Sequence, residues 1–263
     1  MRIFNYKFSG YYRLIRDGVR QDIENRYAGS LLGKLWAGVY PACQLAIFAS
    51  VYAFIFKIRA PGLDTPSYVL LIFSGLVPVM MFNEALIAAT ASMGAGKTLV
   101  ANTNYPAEII PVRSVLASQV PGLIGLIITA LYSISLGGLH WSSLVCIPLL
   151  WCLLLLMAIG IGSVFSVLAL VYKDILIGIG LLSMLLMITS PFAYTLEMVP
   201  GALKMLIYFN PLTYFVLAFQ NLMVFDAFPE WIHIAGALSM AIAFGIGGFL
   251  LFRRVMPVFI DHA

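Results

Sequence analysis

Charged residues in this chain are sparse and bunched, and the uncharged intervals between them constrain its fold more than any other feature. Lys34 to Lys57 encloses 22 uncharged residues and Asp64 to Glu84 encloses 19. Asp174 to Glu197 and Glu230 to Arg253 enclose 22 each, and Arg113 to Lys173 encloses 59. A helix crossing about 30 Å of hydrocarbon needs about 20 residues. Four intervals therefore fit one helix each. The longest fits two, broken near Gly137-Gly138-Leu139-His140-Trp141, where glycines and an interfacial tryptophan stand. With 62% of its 263 residues hydrophobic and 10% charged, against about 25% charged in soluble domains, the chain carries apolar surface that only a bilayer can absorb.

The expected fold is an all-α integral membrane protein with six transmembrane helices, at about 35–56, 68–91, 113–136, 143–170, 175–193 and 231–252. Residues 1–34 form a separate cytoplasmic amphipathic segment and 35–263 the six-helix domain. Six spans leave both termini on one side, and that side carries twelve of the fifteen Lys and Arg residues. Only Lys57, Arg59 and Lys204 lie on the other. The positive-inside rule puts both termini in the cytoplasm of a multi-pass protein. The net charge of +4 needs no nucleic-acid partner, because these basic residues face the anionic inner leaflet. Cys43, Cys146 and Cys152 fall inside spans and read as small core residues without a disulfide framework. The first 34 residues lack the continuous apolar run of a signal peptide.

In the N-terminal segment Tyr11, Ile15, Val19, Ile23 and Tyr27 recur every four residues between charged positions. That pattern fits a helix lying in the membrane interface, and equally a solvated helix packed on a protein partner. Residues 92–112 hold Gly94, Gly96, Lys97, Asn102, Asn104, Pro106, Glu108 and Pro111, enough to leave the membrane. Residues 194–230 are too polar and Pro-broken for a clean span, with Glu197, Pro200, Lys204, Gln220, Asn221, Asp226, Pro229 and Glu230. Apolar side chains nevertheless recur there at helical spacing. Two short external helices meeting near Asn210-Pro211 are expected, at least partly re-entrant, where protein or a cavity shields their backbone.

Little in the sequence points to chemistry. Gly96-Lys97-Thr98 matches the tail of a phosphate-binding loop, but Ala91 occupies the position of its first glycine and no strand precedes it. Any ATPase must come from another chain. His140, His233 and His262 have no spacing that assembles a metal site. A catalytic residue and a metal centre are therefore not expected, and no cofactor in this chain. Glu84 is the acid best placed within a span, beside Asn83; it fits a polar channel site, or a group reaching headgroups or a cation. Tyr40, Gln44, Phe48, Tyr52 and Phe56 form a row on span 1 that fits channel lining, where sugar rings stack, or plain helix packing.

The run Arg26-Tyr27-Ala28-Gly29-Ser30-Leu31-Leu32-Gly33-Lys34-Leu35-Trp36 with Pro41, then Gly75-Leu76-Val77-Pro78 with Phe82, resembles landmarks of the ABC-2-type polysaccharide export permeases. Tyr172-Lys173-Asp174-Ile175, Ser190-Pro191 with Tyr194, Pro200 and Tyr208-Phe209-Asn210-Pro211 follow in the same order over nearly the whole chain. The resemblance implies a homodimer bound to two copies of an ABC ATPase, which holds the ATP and magnesium. It also implies a polyprenyl-diphosphate-linked glycan carried across the bacterial inner membrane. ATPase coupling would involve Arg20, Arg26, Tyr27, Asn102, Tyr105, Glu108, Tyr172, Lys173 and Asp174. Arg13, Arg16, Arg20 and Arg26 stand where a lipid diphosphate would approach, and fit equally a generic anchoring to the anionic membrane surface. Tyr40, Gln44, Phe48, Tyr52, Asn83 and Glu84 are the channel candidates. Pro191, Tyr194, Tyr208, Asn210 and Pro211 belong to an external gate at about 195–224. The Tyr-Lys-Asp-Ile turn fits the branch exporting O antigen. Lys173 replaces the usual arginine there, keeping the charge without bidentate geometry. A drug-exporting ABC-2 permease, an ATP-independent carrier and a membrane-embedded transferase are the competing readings.

Overall fold

The computed structural model describes residues 2–57, 61–102, 105–139, 141–225 and 227–260, and the described residues are helical with no strand. The side chain of Asn102, together with Arg59, Asn104, His140, Asp226 and His262, lies outside the described residues. A long helix α1 (Arg2–Tyr27) precedes the first span, built from a 3-10 turn (Gly33–Leu35), α2 (Trp36–Ala49) and a π-helical stretch (Ser50–Ile55). Then come α3 (Thr65–Ala95), a short α4 (Lys97–Asn102), α5 (Ile109–Ser135), α6 (Trp141–Val171) and α7 (Asp174–Thr189). Two short helices, α8 (Gly201–Phe209) and α9 (Pro211–Met223), lead to the final span of α10 (Trp231–Met240), a second π stretch (Ala241–Ile246) and α11 (Gly247–Ile260).

Among the described residues five helical segments are long and apolar enough to cross a membrane: Gly33–Ile55, Thr65–Ala95, Ile109–Ser135, Trp141–Val171 and Trp231–Met256. The sixth apolar helix, α7, has 16 residues, shorter than the expected 175–193. Its early stop has a local cause: Ser190 is extended at ψ 133, as the residue before Pro191 prefers. The connection expected at 92–112 is shorter than read. α3 continues through Gly94 to Ala95, and α5 starts at Ile109 with Pro111 in its first turn, where a missing N–H costs little.

α3 is the central helix and packs on α5, α6, α7 and α9. Its ends also fix the molecule's polarity. At one end Met93, Ala107 and Ile110 cluster with Leu170 and Met256, bringing together the termini of α3, α5, α6 and α11. At the opposite end the Tyr68 hydroxyl donates to Ala193 O at 2.8 Å, while Ser133 and Ser143 hydroxyls donate to Met223 O and Leu222 O, satisfying the last carbonyls of α9. Lipid offers no hydrophobic drive for helix association, so close backbone approach carries much of the packing. A Cβ on Gly160 would fall 2.1 Å from Phe244 O, and one on Gly162 would fall 2.4 Å from Ala89 Cβ. Two of the three free cysteines depart from the core reading: Cys43 and Cys152 are exposed on the outer surface of the helices, while Cys146 is half-buried against the core.

Candidate functional site

α1 lies against α5 through the predicted face. Ile15, Val19, Ile23 and Tyr27 are half-buried and Gly18 is fully buried, whereas Tyr11 and Tyr12 are exposed. Gly18 makes room for Arg113, whose Cδ would sit 2.6 Å from a Cβ there. The Arg113 guanidinium is 3.4 Å from Asp22 Oδ2 and 5.7 Å from the centre of the Tyr105 ring, and the Ser114 hydroxyl donates to Asp22. Burial raises the Asp22 carboxyl above the usual range, with Arg113 and Ser114 opposing the rise. Burial likewise raises the Tyr105 hydroxyl against the pull of Arg113.

A second pair joins the end of α1 to the middle of the bundle: Arg26 Nη2 donates to Glu84 Oε2. Of the two roles open to Glu84, contact with a cationic side chain is the one observed. The loop beyond requires left-handed backbone at Gly29 (φ 74) and Gly33 (φ 51), which explains both glycines of the Ala28–Trp36 run. Arg26, Tyr27, Ser30, Trp36, Tyr40, Glu84 and Pro121 enclose a cleft of about 390 Å³. The Tyr27 hydroxyl is buried there with no partner among the described residues. A third pair, Arg253 with Glu108 at 3.2 Å, ties α11 to the start of α5.

The remaining cations of α1 behave differently. Arg16 pairs with its neighbour Asp17, and Arg20 pairs with Glu24 one turn on, all largely exposed. Glu24 is held below its ordinary value by Arg20. Arg13 is also exposed. Tyr172, Lys173 and Asp174 are exposed at the two-residue break between α6 and α7. The structure thus sets Tyr105 against Arg113 at the α1–α5 contact, Arg26 against Glu84 of α3 with Tyr27 beside them, Glu108 against Arg253 of α11, and Tyr172–Asp174 on an exposed turn of their own.

The aromatic row of the first span is split by depth. Its neighbouring positions Ala37, Pro41, Leu45 and Ala49 are buried, while Tyr40 and Phe56 are exposed and Gln44, Phe48 and Tyr52 intermediate. Phe48 and Tyr52 both meet the buried Phe192 ring edge-on, at 5.5 and 5.8 Å. Asn83 donates to Ser183 O at 3.2 Å, bridging α3 to α7 rather than facing Glu84's partner.

At the opposite end Asn210 joins α8 to α9. Its Oδ1 accepts from Leu212 N, capping α9 with Pro211 at the first helical position. Its Nδ2 lies within 3.0 Å of Leu186 O, Thr189 Oγ1 and Ser190 Oγ, so the same side chain closes the end of α7. Gln220 does related work, with Nε2 3.0 Å from Pro191 O and 3.4 Å from Leu71 O. Gly75 permits this, since a Cβ there would fall 2.8 Å from Gln220 Nε2. The Tyr194 hydroxyl reaches Ile188 O at 3.4 Å. Tyr208 is exposed, its carbonyl accepting from Tyr214.

Sequence reasoning passed over Asp22, Arg113 and Gln220 as site residues. Asp22 lies on α1, Arg113 near the start of α5 and Gln220 within α9, and nothing local to any of them announces the distant partner. Among the described residues no group of three His, Cys, Asp or Glu could hold a metal ion.

Comparison with known proteins bears on this arrangement. The profile of the ABC-2 type transporter family matches residues 15–224. The O-antigen export system permease protein RfbA of Klebsiella pneumoniae is 29% identical over 205 residues, covering 77% of this chain and 76% of that protein. RfbA of Myxococcus xanthus is 18% identical over 227 residues, 86% of this chain and 84% of its own. The polysialic acid transport protein KpsM of Escherichia coli is 23% identical over 202 residues, 74% of this chain and 75% of its own.

Proposed function

This chain belongs to the ABC-2 type transporter family, and on that footing we propose that it is the membrane-spanning subunit of an ATP-driven exporter of lipid-linked polysaccharide of the O-antigen kind. It is a multi-pass membrane permease, not an enzyme. The observation that carries the substrate reading is a likeness to O-antigen export permeases over three-quarters of this chain and of theirs. Identity does not separate the classes, since the Myxococcus permease falls below KpsM. The preference for an O-antigen-like over a capsular glycan rests on the resemblance of the Tyr172-Lys173-Asp174-Ile175 turn.

In this reading the chain forms a homodimer and binds two copies of a separate ABC ATPase, which holds ATP and magnesium. The α1 end of the bundle faces the cytoplasm of a bacterial inner membrane, as the surplus of Lys and Arg there supports. α7 completes a sixth span together with Ser190–Tyr194. α8 and α9 form the external gate, re-entrant from the far side. The chain does no chemistry on its substrate. Closure of the ATPase pair moves α1 and the exposed 172–174 turn, and the Asp22–Arg113, Arg26–Glu84 and Glu108–Arg253 pairs carry that movement into α5, α3 and α11. Arg13, Arg16 and Arg20, exposed along α1, draw the lipid diphosphate to the membrane surface.

Purification of the tagged chain from its native host in mild detergent tests this. An ABC ATPase in equal stoichiometry, with activity that responds to lipid-linked glycan, is the expected result. A stable protein arriving with no ATPase would return the chain to the ATP-independent carriers.

A further inference from the structure

We propose that the cleft between the end of α1, the start of α2, α3 and α5 is a sugar subsite, taking the first residue of the glycan next to its lipid diphosphate. The inference rests on the export reading above and adds to it a place and a chemistry.

The walls argue for a sugar. Trp36 and Tyr40 present large aromatic faces and are 42% and 43% exposed. Aromatic faces of this kind stack on the C–H faces of sugar rings while their polar rims stay wet. Between them lie the Glu84 carboxylate, which only accepts hydrogen bonds, and the Arg26 guanidinium, which only donates. Tyr27 also lines the cleft, with its hydroxyl buried beneath the wall. Few polar groups converging in a mainly apolar cleft of about 390 Å³ is the usual form of a small-molecule site.

The charges argue against the alternatives. Glu84 already neutralises Arg26, so a diphosphate placed here would meet a carboxylate at close range. A bare acyl or polyprenyl chain would leave three polar side chains, Arg26, Ser30 and Glu84, facing hydrocarbon. A neutral polyol satisfies all three. The site also lies at the C-terminal end of α1, with Arg16 and Arg20 exposed further along that helix. The Arg16–Asp17 and Arg20–Glu24 pairs are exposed and weak, unlike the half-buried Arg26–Glu84 pair. A lipid whose diphosphate displaces their acids would therefore present its first sugar to this cleft.

The test uses the full-length chain in nanodiscs with p-benzoylphenylalanine in place of Trp36. The probe is lipid-linked glycan extracted from a native-host strain lacking this chain. The comparison is the same extract after mild acid, which frees the sugar from the diphosphate and leaves the host phospholipid. The intact extract should give roughly tenfold more carbohydrate-bearing adduct than the treated one, and Glu84→Gln should reduce it severalfold. The same photoreactive substitution at Tyr40 gives an independent reading if the Trp36 variant misfolds. Equal labelling by both extracts, adducts carrying phospholipid alone, or no adduct at either position would overturn the sugar subsite. An extract with no accumulated lipid-linked glycan would instead overturn the export reading on which it rests.

Discussion

Asn210 shows how much one buried amide can organise. Its acceptor oxygen starts α9, and its donor nitrogen faces a carbonyl and two hydroxyls at the end of α7. Asn210→Ala removes the cap and abandons Leu186 O, a combined cost of about 2 kcal/mol. Asn210→Asp keeps the cap but turns a donor into an acceptor against Leu186 O, so it should cost at least as much despite its near-identical size. Thermal unfolding of the purified protein checks both. A stable Asp variant would mean that the cap alone matters. Arg113 and Asp22 make a similar unit, in which the arginine offsets part of the cost of half-burying a carboxylate.

Among the elements, α6 and the last span are joined by backbone contact. Gly160, Gly245 and Gly248 let the two helices approach until a Cβ at Gly248 would fall 2.7 Å from Gly160 C. The π stretch Ala241–Ile246 contains Gly245 and sits at this crossing, as π segments often mark functional positions. Gly160→Ala forces carbonyl groups apart, and overpacking of this kind costs about 1–3 kcal/mol. Gly178→Ala in α7 meets nothing within 4 Å and should be neutral or stabilising, by up to about 1 kcal/mol. Melting the two variants side by side separates crossing geometry from helix propensity. Equal effects would remove the role given to the crossing.

For the whole molecule, the decisive matter is whether α7, with 16 residues, crosses the membrane. Six spans return both termini to one side, and five would separate them. A fluorescent protein fused after Ala263 should therefore fluoresce in the cytoplasm, and alkaline phosphatase fused after Thr195 should be active outside. An inactive phosphatase fusion at Thr195 with a non-fluorescent C-terminal fusion would mean that α7 folds back. The exposed apolar residues of α7, among them Ile177, Leu181, Met184 and Ile188, suit a helix set against lipid or a second copy of the chain.

The membrane class, the spans other than α7 in approximate position, the amphipathic α1 and the helix pair broken at Asn210-Pro211 were all legible in the sequence. They depend on local quantities: length of uncharged run, helical periodicity, proline and glycine placement. The ends of α3 and α5 were misplaced because turn-forming residues near 94–111 read as a loop, while packing kept Gly94 and Pro111 helical. Cys43 and Cys152 were assigned to the core because hydropathy alone does not tell which face of an apolar helix meets lipid. The site depended on distance across the fold. Arg26 and Glu84 are 58 positions apart, Asp22 pairs with Arg113, and Gln220 reaches the carbonyls of Leu71 and Pro191. In a chain with so few charges, the sequence by itself determined which polar groups needed partners. Only the tertiary structure decided which partners they received, because pairing depends on how helices cross and not on any spacing along one of them.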